Sequence, residues 1–277
     1  MVSKAQDSGR LREVGRGMVS YREQYGALLE AIADEADRMA LGYFRVGGMR
    51  VARKSDGTAL TEADGAIEAM ARAKVTASGL ALDVLGEEMG TGDGKAKSSS
   101  PARLIIDPID GTEEFSRGIP TFGTLIGIEH NGEIVAGMCS APALGTRWWA
   151  YRGEGAYRNG KRIHVSKVDT LAKAMIFTTG TGPKKNPAMR AKLRLLADTA
   201  KSGRAIGGFW QHMLVAEGAI EVAVDLTSQA WDLAPLGIIV EEAGGRSTSV
   251  SGERTIYSGE LVSTNGKLHD EVLKILA

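Results

Sequence analysis

The sequence predicts an α+β protein built in layers, and three features carry that expectation. Segments with apolar residues at the helical period alternate irregularly with short apolar runs of strand length, which speaks against a doubly wound parallel sheet. Two Asn-Gly pairs, Asn131-Gly132 and Asn159-Gly160, stand in a region of such runs and mark antiparallel hairpins. No internal repeat organises the chain.

Residues 1–20 are rich in Gly, Ser and Arg and are expected to form a flexible segment. They lack the apolar run of a secretory signal. A helix is predicted from about Tyr21 to Phe44, where Leu28, Ile32 and Met39 recur at the 3.6-residue period. After a turn at Asp56-Gly57, Thr61 caps a second helix that carries Asp64 in its first turn and Ala63, Ile67, Met70 and Ala71 on one face. LALDVLGEE (80–88) reads as a strand ending in paired glutamates, and TGDGKAKSSSP (91–101) as a mobile loop rather than a domain boundary. Beyond residue 103 come a strand through Leu104, Ile105 and Ile106, the hairpin TLIGIEH-NG-EIVAGMCSAP, the strand TRWWAYR and a strand over 174–180. A basic helix spans Pro187 to Lys201, another helix runs from about Phe209 to Glu217, and a strand covers 220–225. A helix from about Asp232 stops at Gly244-Gly245, and a last strand and helix close the chain.

With 34 basic and 34 acidic residues the net charge is zero, so no basic excess points to nucleic acid or a membrane surface. No apolar run approaches the ~20 residues that a membrane-spanning helix needs. The single cysteine, Cys139, excludes an intrachain disulfide framework and fits a reducing compartment. The expected setting is cytoplasmic.

Chemistry concentrates where the strand Leu104–Ile106 runs into Asp107, Pro108, Ile109, Asp110, Gly111 and Thr112. Two carboxylates at a buried strand end are costly unless cations meet them. Pro108 fixes its φ and offers no N–H, so the backbone turns and the Ile109 carbonyl can join the carboxylates. A polar segment, Glu113 to Arg117, follows as a candidate helix whose first N–H groups face an anion. Metal beside phosphate is the signature of phosphoryl chemistry. Further acids stand at Asp64, Glu87-Glu88, Asp225 and Asp232. Hard oxygen donors with few histidines suit Mg²⁺ or Mn²⁺ rather than zinc. Taken singly, each acid reads as a cap or a solvated charge, and Glu62, Glu113, Glu114, Glu241 and Glu242 are left in that class.

Other phosphatase chemistries fit poorly. An aspartyl-phosphate enzyme of the haloacid dehalogenase type wants Asp-x-Asp-Gly-Thr, whereas Asp107 and Asp110 are three apart. A cysteine phosphatase needs five residues between Cys and Arg; Cys139 and Arg147 have seven, so Cys139 reads as a core thiol.

The order Asp64, GEE (86–88), DPIDGT (107–112) and WDLAP (231–235) resembles the inositol monophosphatase family of magnesium-dependent, lithium-sensitive phosphatases, from about residue 25 to the C-terminus. The resemblance implies a layered αβαβα sandwich of the inositol monophosphatase / fructose-1,6-bisphosphatase type and a homodimer. It makes residues 21–277 one phosphatase unit, with a metal-binding part over about 21–180 and a C-terminal αβα part over about 181–277. It also implies two or three Mg²⁺ ions, with Mn²⁺ as a substitute. Glu87, Asp107 and the Ile109 carbonyl would hold the first metal, and Asp107, Asp110 and Asp232 the second. Glu87 with Thr112 would orient the attacking water, and the N–H groups of Gly111 and Thr112 would receive the phosphate. Asp64, with Lys54 nearby, matches the family's outer acid beside a weaker metal.

SAPALGTRWWA, the LVAEGAIEVAVD run and WDLAPLGIIVEEAGG with a later STNG are more similar to the histidinol-phosphatase branch than to inositol phosphatases proper. In that branch an acid follows the first glycine of the stretch before LVAEG; here Gly208 stands in its place, within Gly207-Gly208-Phe209-Trp210. Asp225, seven residues before Asp232, matches a substrate-contacting position, and Arg204 is a candidate phosphate or substrate contact. Lys184-Lys185 read as solvated. Phe209 and Trp210 read as core or interface, and Trp231 as packing against Asp232. The expectation is a phosphomonoesterase for a small phosphorylated alcohol, histidinol phosphate first and inositol monophosphate second. A regulatory binding protein is the non-enzymatic rival. Phosphatases of more highly phosphorylated substrates would want a basic cluster that the sequence lacks.

Overall fold

Strand β4 (Ala102–Asp110) sets the architecture, because its side chains are buried on both faces. Leu104 and Ile106 pack toward α1 (Tyr21–Tyr43) and α2 (Glu62–Ser78), while Ile105 packs against α6 (Ala230–Glu242). A sheet covered by helices on both sides explains the continuous apolar run. The computed structural model describes residues 19–44, 52–53, 59–60, 62–90, 100–179 and 186–277. The expectations at Lys54, Asp56-Gly57, Thr61 and Lys184-Lys185, and nearly all of those for residues 1–20 and 91–101, lie outside them.

The remaining elements up to residue 180 are the short pair β1 (Ala52–Arg53) and β2 (Ala59–Leu60), then β3 (Asp83–Gly86), α3 (Thr112–Ser116), β5 (Gly123–His130), β6 (Glu133–Ala141), β7 (Thr146–Tyr151), β8 (Gly155–Arg158), β9 (Lys161–Ile163) and β10 (Met175–Thr178). After these come α4 (Pro187–Thr199), β11 (Ser202–Ala205), α5 (Gly208–Ala216), β12 (Val222–Asp225), β13 (Arg246–Thr248), β14 (Leu261–Thr264) and α7 (His269–Leu276). A seven-stranded sheet has the order β3-β4-β5-β6-β7-β8-β9, parallel only between β3 and β4. A five-stranded sheet has the order β11-β10-β12-β14-β13, with β10 parallel to both β11 and β12.

The layers run α1/α2, large sheet, α5/α6, small sheet, α4/α7. Phe177, Ala223 and Leu261 of the small sheet face α5 and α6, whereas Ile176, Val222, Val224 and Val262 face α4 and α7. This is the expected αβαβα sandwich. Both Asn-Gly turns form as predicted, with Asn131 and Asn159 at φ of 52° and 45° followed by glycines at 81° and 79°. Gly244-Gly245 ends α6: the Gly245 N–H returns to Val240 O at 2.9 Å, and Gly244 sits at φ 93°. The strand expected over 80–88 is shorter, covering Asp83–Gly86, and its glutamates fall in the turn beyond.

Close approach of α6 to the large sheet depends on two glycines that face each other across β5 and β6, Gly127 and Gly137. A Cβ on Gly127 would lie 2.7 Å from the Ala234 Cβ, and one on Gly137 2.6 Å from Ile238 Cγ2. Helix α6 settles into the space these residues leave, which fixes the position of its first turn and Asp232.

Candidate active site

Sequence spacing alone puts Asp107 and Asp110 on opposite faces of a regular strand, since side chains alternate. The strand does not end at Asp107, as expected, but continues to Asp110 through a slip in register. Asp107 pairs with Leu125 and Asp110 with Gly123, so three steps on β4 match two on β5. The added residue is a bulge. It restores Asp110 to the face of Asp107 and is a place where a proline can stand in a sheet. Local hydrogen bonds hold the irregular backbone: Ile109 N–H donates to Asp107 Oδ1 at 2.9 Å, and the Thr124 hydroxyl to Pro108 O at 2.8 Å.

Asp232 arrives from the first turn of α6, where its Oδ2 accepts the Gln229 N–H at 2.8 Å and its charge suits the helix dipole. Asp107, Asp110 and Asp232 each offer a carboxylate oxygen within 4.8 Å of the others. Glu87, in the turn after β3, contributes the largest neighbouring charge felt by Asp107 and also acts on Asp110 and Asp232. Asp64, fully buried on α2, lies within reach of the Thr112 hydroxyl at 3.4 Å; that hydroxyl also donates to Ile109 O at 2.9 Å.

Burial and mutual repulsion set the protonation of this cluster. Asp107 is pushed well above the usual carboxylate range, first by burial and then by Glu87, Asp232 and Asp110. Burial raises Asp110 to about 7 against the opposing pull of the Phe209 N–H, with Asp225, Glu114 and Glu87 adding to the rise. Asp232 is raised to about 8, by burial first and Asp110 next. Carboxylates so placed ionise together only when a cation joins them. The donors are hard oxygens, and the Ile109 carbonyl, one residue before Asp110, accepts the Thr112 hydroxyl and keeps a spare lone pair. The set therefore fits a divalent cation of the Mg²⁺ or Mn²⁺ type.

A cavity of about 280 Å³ opens beside the cluster. Its wall includes Asp110, Gly111, Gly208, Asp225 and Asp232, and among the described residues it carries no lysine, arginine or histidine. Asp225, at the end of β12, is buried and accepts the Thr227 N–H at 3.3 Å. Gly208 has φ 64°, and a Cβ there would lie 3.1 Å from Asp110 Oδ2. That backbone also delivers the Phe209 N–H to Asp110 Oδ2 at 3.0 Å. Gly111, at φ 81°, opens α3 and leaves 2.9 Å between an added Cβ and Thr121 O.

Several expectations need correction. Arg204 does not join the cavity wall: it is exposed, and its guanidinium folds back to Ser202 Oγ and Gly203 O at 3.1 and 2.8 Å. Strand β11 is an edge strand, and its arginine serves its own end. Glu114 is half-buried and lines the cavity rather than the outer surface, whereas Glu113 does pair at the surface with Arg117. Glu241 and Glu242 are structural: Glu241 accepts from Arg152 and Arg254, and Glu242 from the N–H groups of Gly153 and Gly155. Phe209 is core and cavity wall at once, beside Trp148, while Trp210 lines the cavity half-buried. Trp148 is buried and Trp149 lies on the opposite face against Tyr157. Trp231 packs at the edge of the Ala230–Ala234 cluster, and Cys139 is a buried core thiol.

One residue escaped the sequence reading altogether. Glu68, on α2, is fully buried, and its carboxylate accepts the N–H groups of Glu88 and Met89 at 2.7 and 3.1 Å. Its signal was its spacing, four residues beyond Asp64 and four before Arg72, which places all three on one helical face.

Five layers, a bulged strand carrying two carboxylates and a third acid at a helix start place a cluster that could hold a metal ion beside a cavity. A profile of the inositol monophosphatase family, whose members are metal-dependent phosphomonoesterases, matches residues 22–277, and the chain belongs to that family of hydrolases. It is 40% identical over 248 residues to the histidinol-phosphatase of Mycobacterium tuberculosis, covering 88% of this chain and 94% of the relative. The histidinol-phosphatase of Streptomyces coelicolor is 36% identical over 259 residues, covering 90% and 95%. Among solved structures, the extragenic suppressor protein suhB of Bartonella henselae superposes with a TM-score of 0.81 at 27% identity, covering 91% of this chain and 98% of the other. Thermotoga maritima IMPase does so at 0.79 and 26%, covering 91% and 96%. Among the described residues no helix is long and apolar enough to cross a membrane.

Proposed function

We propose that this phosphatase hydrolyses histidinol phosphate, using two or three Mg²⁺ ions that Mn²⁺ can replace. The carrying observation is the convergence of Asp107, Asp110 and Asp232 within 4.8 Å beside a cavity whose described wall holds no basic residue. The substrate class follows from the similarity to two histidinol-phosphatases over most of the chain. Glu87, Asp107 and the Ile109 carbonyl would hold one ion, and Asp107, Asp110 and Asp232 another. When bound, the ions supply charge neutralisation for the phosphate and a lowered pKa for water.

The chain's own residues do the rest. Thr112 already commits its hydroxyl proton to Ile109 O or Asp64, so its oxygen meets water as an acceptor. Glu87 and Thr112 orient the attacking water, and Asp64 stands behind Thr112 as the outer acid. The N–H groups of Gly111 and Thr112, at the unsatisfied start of α3, receive the phosphate. Asp225 and Gly208 border the alcohol portion of the substrate. Asp232 comes from the later part of the chain to complete a site begun on β4, which supports residues 21–277 as one catalytic unit. A homodimer in the cytoplasm, inhibited by lithium, completes the reading.

Phosphate release from histidinol phosphate, inositol 1-phosphate and a panel of other monoesters, with Mg²⁺ and with EDTA, is the test. Preference for histidinol phosphate and full loss in EDTA are expected. A higher kcat/KM on inositol 1-phosphate overturns the substrate, and undiminished turnover in EDTA overturns the metal.

A further inference from the structure

We infer that Glu68 is the positioning residue for Glu87, an assignment that rests on the proposed role of Glu87 at the cation. Buried acids need partners, and Glu68 has four donors. Arg72 supplies Nε and Nη2 at 2.9 and 2.7 Å, and the backbone supplies the N–H groups of Glu88 and Met89. The two backbone donors belong to the turn that presents Glu87. Glu68 therefore grips the main chain immediately after Glu87, while β3 grips it before: Gly86 is paired in register with Ile106, the residue preceding Asp107.

Space for this grip exists because residue 86 is glycine. A Cβ there would lie 2.2 Å from the Glu68 Cδ. The carboxylate thus occupies the place of a side chain that the turn does not have. Arg72 extends the clamp toward β3, with Nη1 3.4 Å from Val84 O. Asp64 stands one helical turn earlier on the same face. A single rigid helix thereby sets both the outer acid behind Thr112 and the turn that carries Glu87. Glu68 itself touches neither substrate nor cation; it acts through the backbone of residues 88 and 89.

The experiment is calorimetric titration of Mn²⁺ into wild type, E68Q, E87Q and the double variant, beside kcat, the activation constant for Mg²⁺ and the unfolding midpoint in EDTA. Loss of a partner that orients a metal ligand weakens metal affinity by about 10–100-fold. E68Q is expected to bind Mn²⁺ that much more weakly and to need correspondingly more Mg²⁺, with much of kcat recovered at saturation. Adding E68Q to E87Q is expected to weaken binding little further, because the two act as a unit. Wild-type affinity in E68Q, or effects that multiply fully in the double variant, overturns the assignment. E68D keeps the charge and draws the turn by one methylene; it serves if E68Q does not fold, and wild-type Mn²⁺ affinity in E68D is equally fatal. Failure of the wild type to bind Mn²⁺ overturns the metal reading instead, so the two failures are distinct.

Discussion

A buried glutamate and a cluster of one buried and two half-buried aspartates lie side by side in this protein and are treated in opposite ways. Glu68 is answered by the chain itself, with a guanidinium and two backbone N–H groups around one carboxylate. Asp107, Asp110 and Asp232 receive one backbone N–H each and otherwise face one another. The first arrangement is complete as folded. In the second, burial and mutual repulsion displace all three acids upward, so an added cation would favour their ionised form. Burial of an acid is therefore no mark of function; what its neighbours leave unanswered is.

The largest expected effect comes from removing a charge from the unanswered group. Asp107→Asn or Asp232→Asn is expected to lower kcat by at least about 10³-fold, the scale of a lost electrostatic contact in a transition state. Circular dichroism should show the fold retained. Near wild-type turnover of either variant at saturating Mg²⁺ would separate these acids from the chemistry.

Next is an effect on stability. Asp110 and Asp232 keep their protons to about 7 and about 8 in the folded, metal-free protein, against about 3.9 when unfolded. Between those values the native state binds more protons, so its stability falls as pH rises from about 4 to about 8. Unfolding midpoints in EDTA should decline across that range, and Mg²⁺ should abolish the decline. A flat profile in EDTA would mean that the acids are ionised without help.

A smaller effect is expected where α6 meets the sheet. Gly137→Ala should destabilise by about 1–3 kcal/mol through overpacking and lower kcat by displacing Asp232, measured by urea unfolding and phosphate release. The smallest belongs to the surface pair Arg246–Asp270: Arg246→Ala should change stability by less than about 1 kcal/mol and leave turnover untouched.

Much of this was legible in the chain. Helical periodicity located α1, α2, α4 and α5 to within a few residues, and the Asn-Gly pairs placed both hairpins, because these signals are local. The acids at 64, 87, 107, 110 and 232 stood out by their motifs. Strands β11 and β13 did not, being polar segments, Ser-Gly-Arg-Ala and Arg-Ser-Thr, that are strands only because neighbours pair with them. Glu114 and Arg204 exchanged expectations for the same reason: whether a charged side chain faces a cavity or solvent is decided by the fold around it. Glu68 was hidden because its partners are backbone N–H groups, which every sequence contains.

The slipped rung of β4 has a consequence of its own, one of parity. An odd interval between two side chains points them to opposite sides of a ribbon; one misaligned residue makes the interval count as even. Deleting a single position between Asp107 and Asp110 and letting the ladder close would shorten the chain by one residue in 277 while regularising the strand, giving a tidier sheet. Such a deletion trades the irregularity for a spacing of two, so this site has two arithmetically equivalent solutions, and the chain uses the one that needs a fault in its own weave.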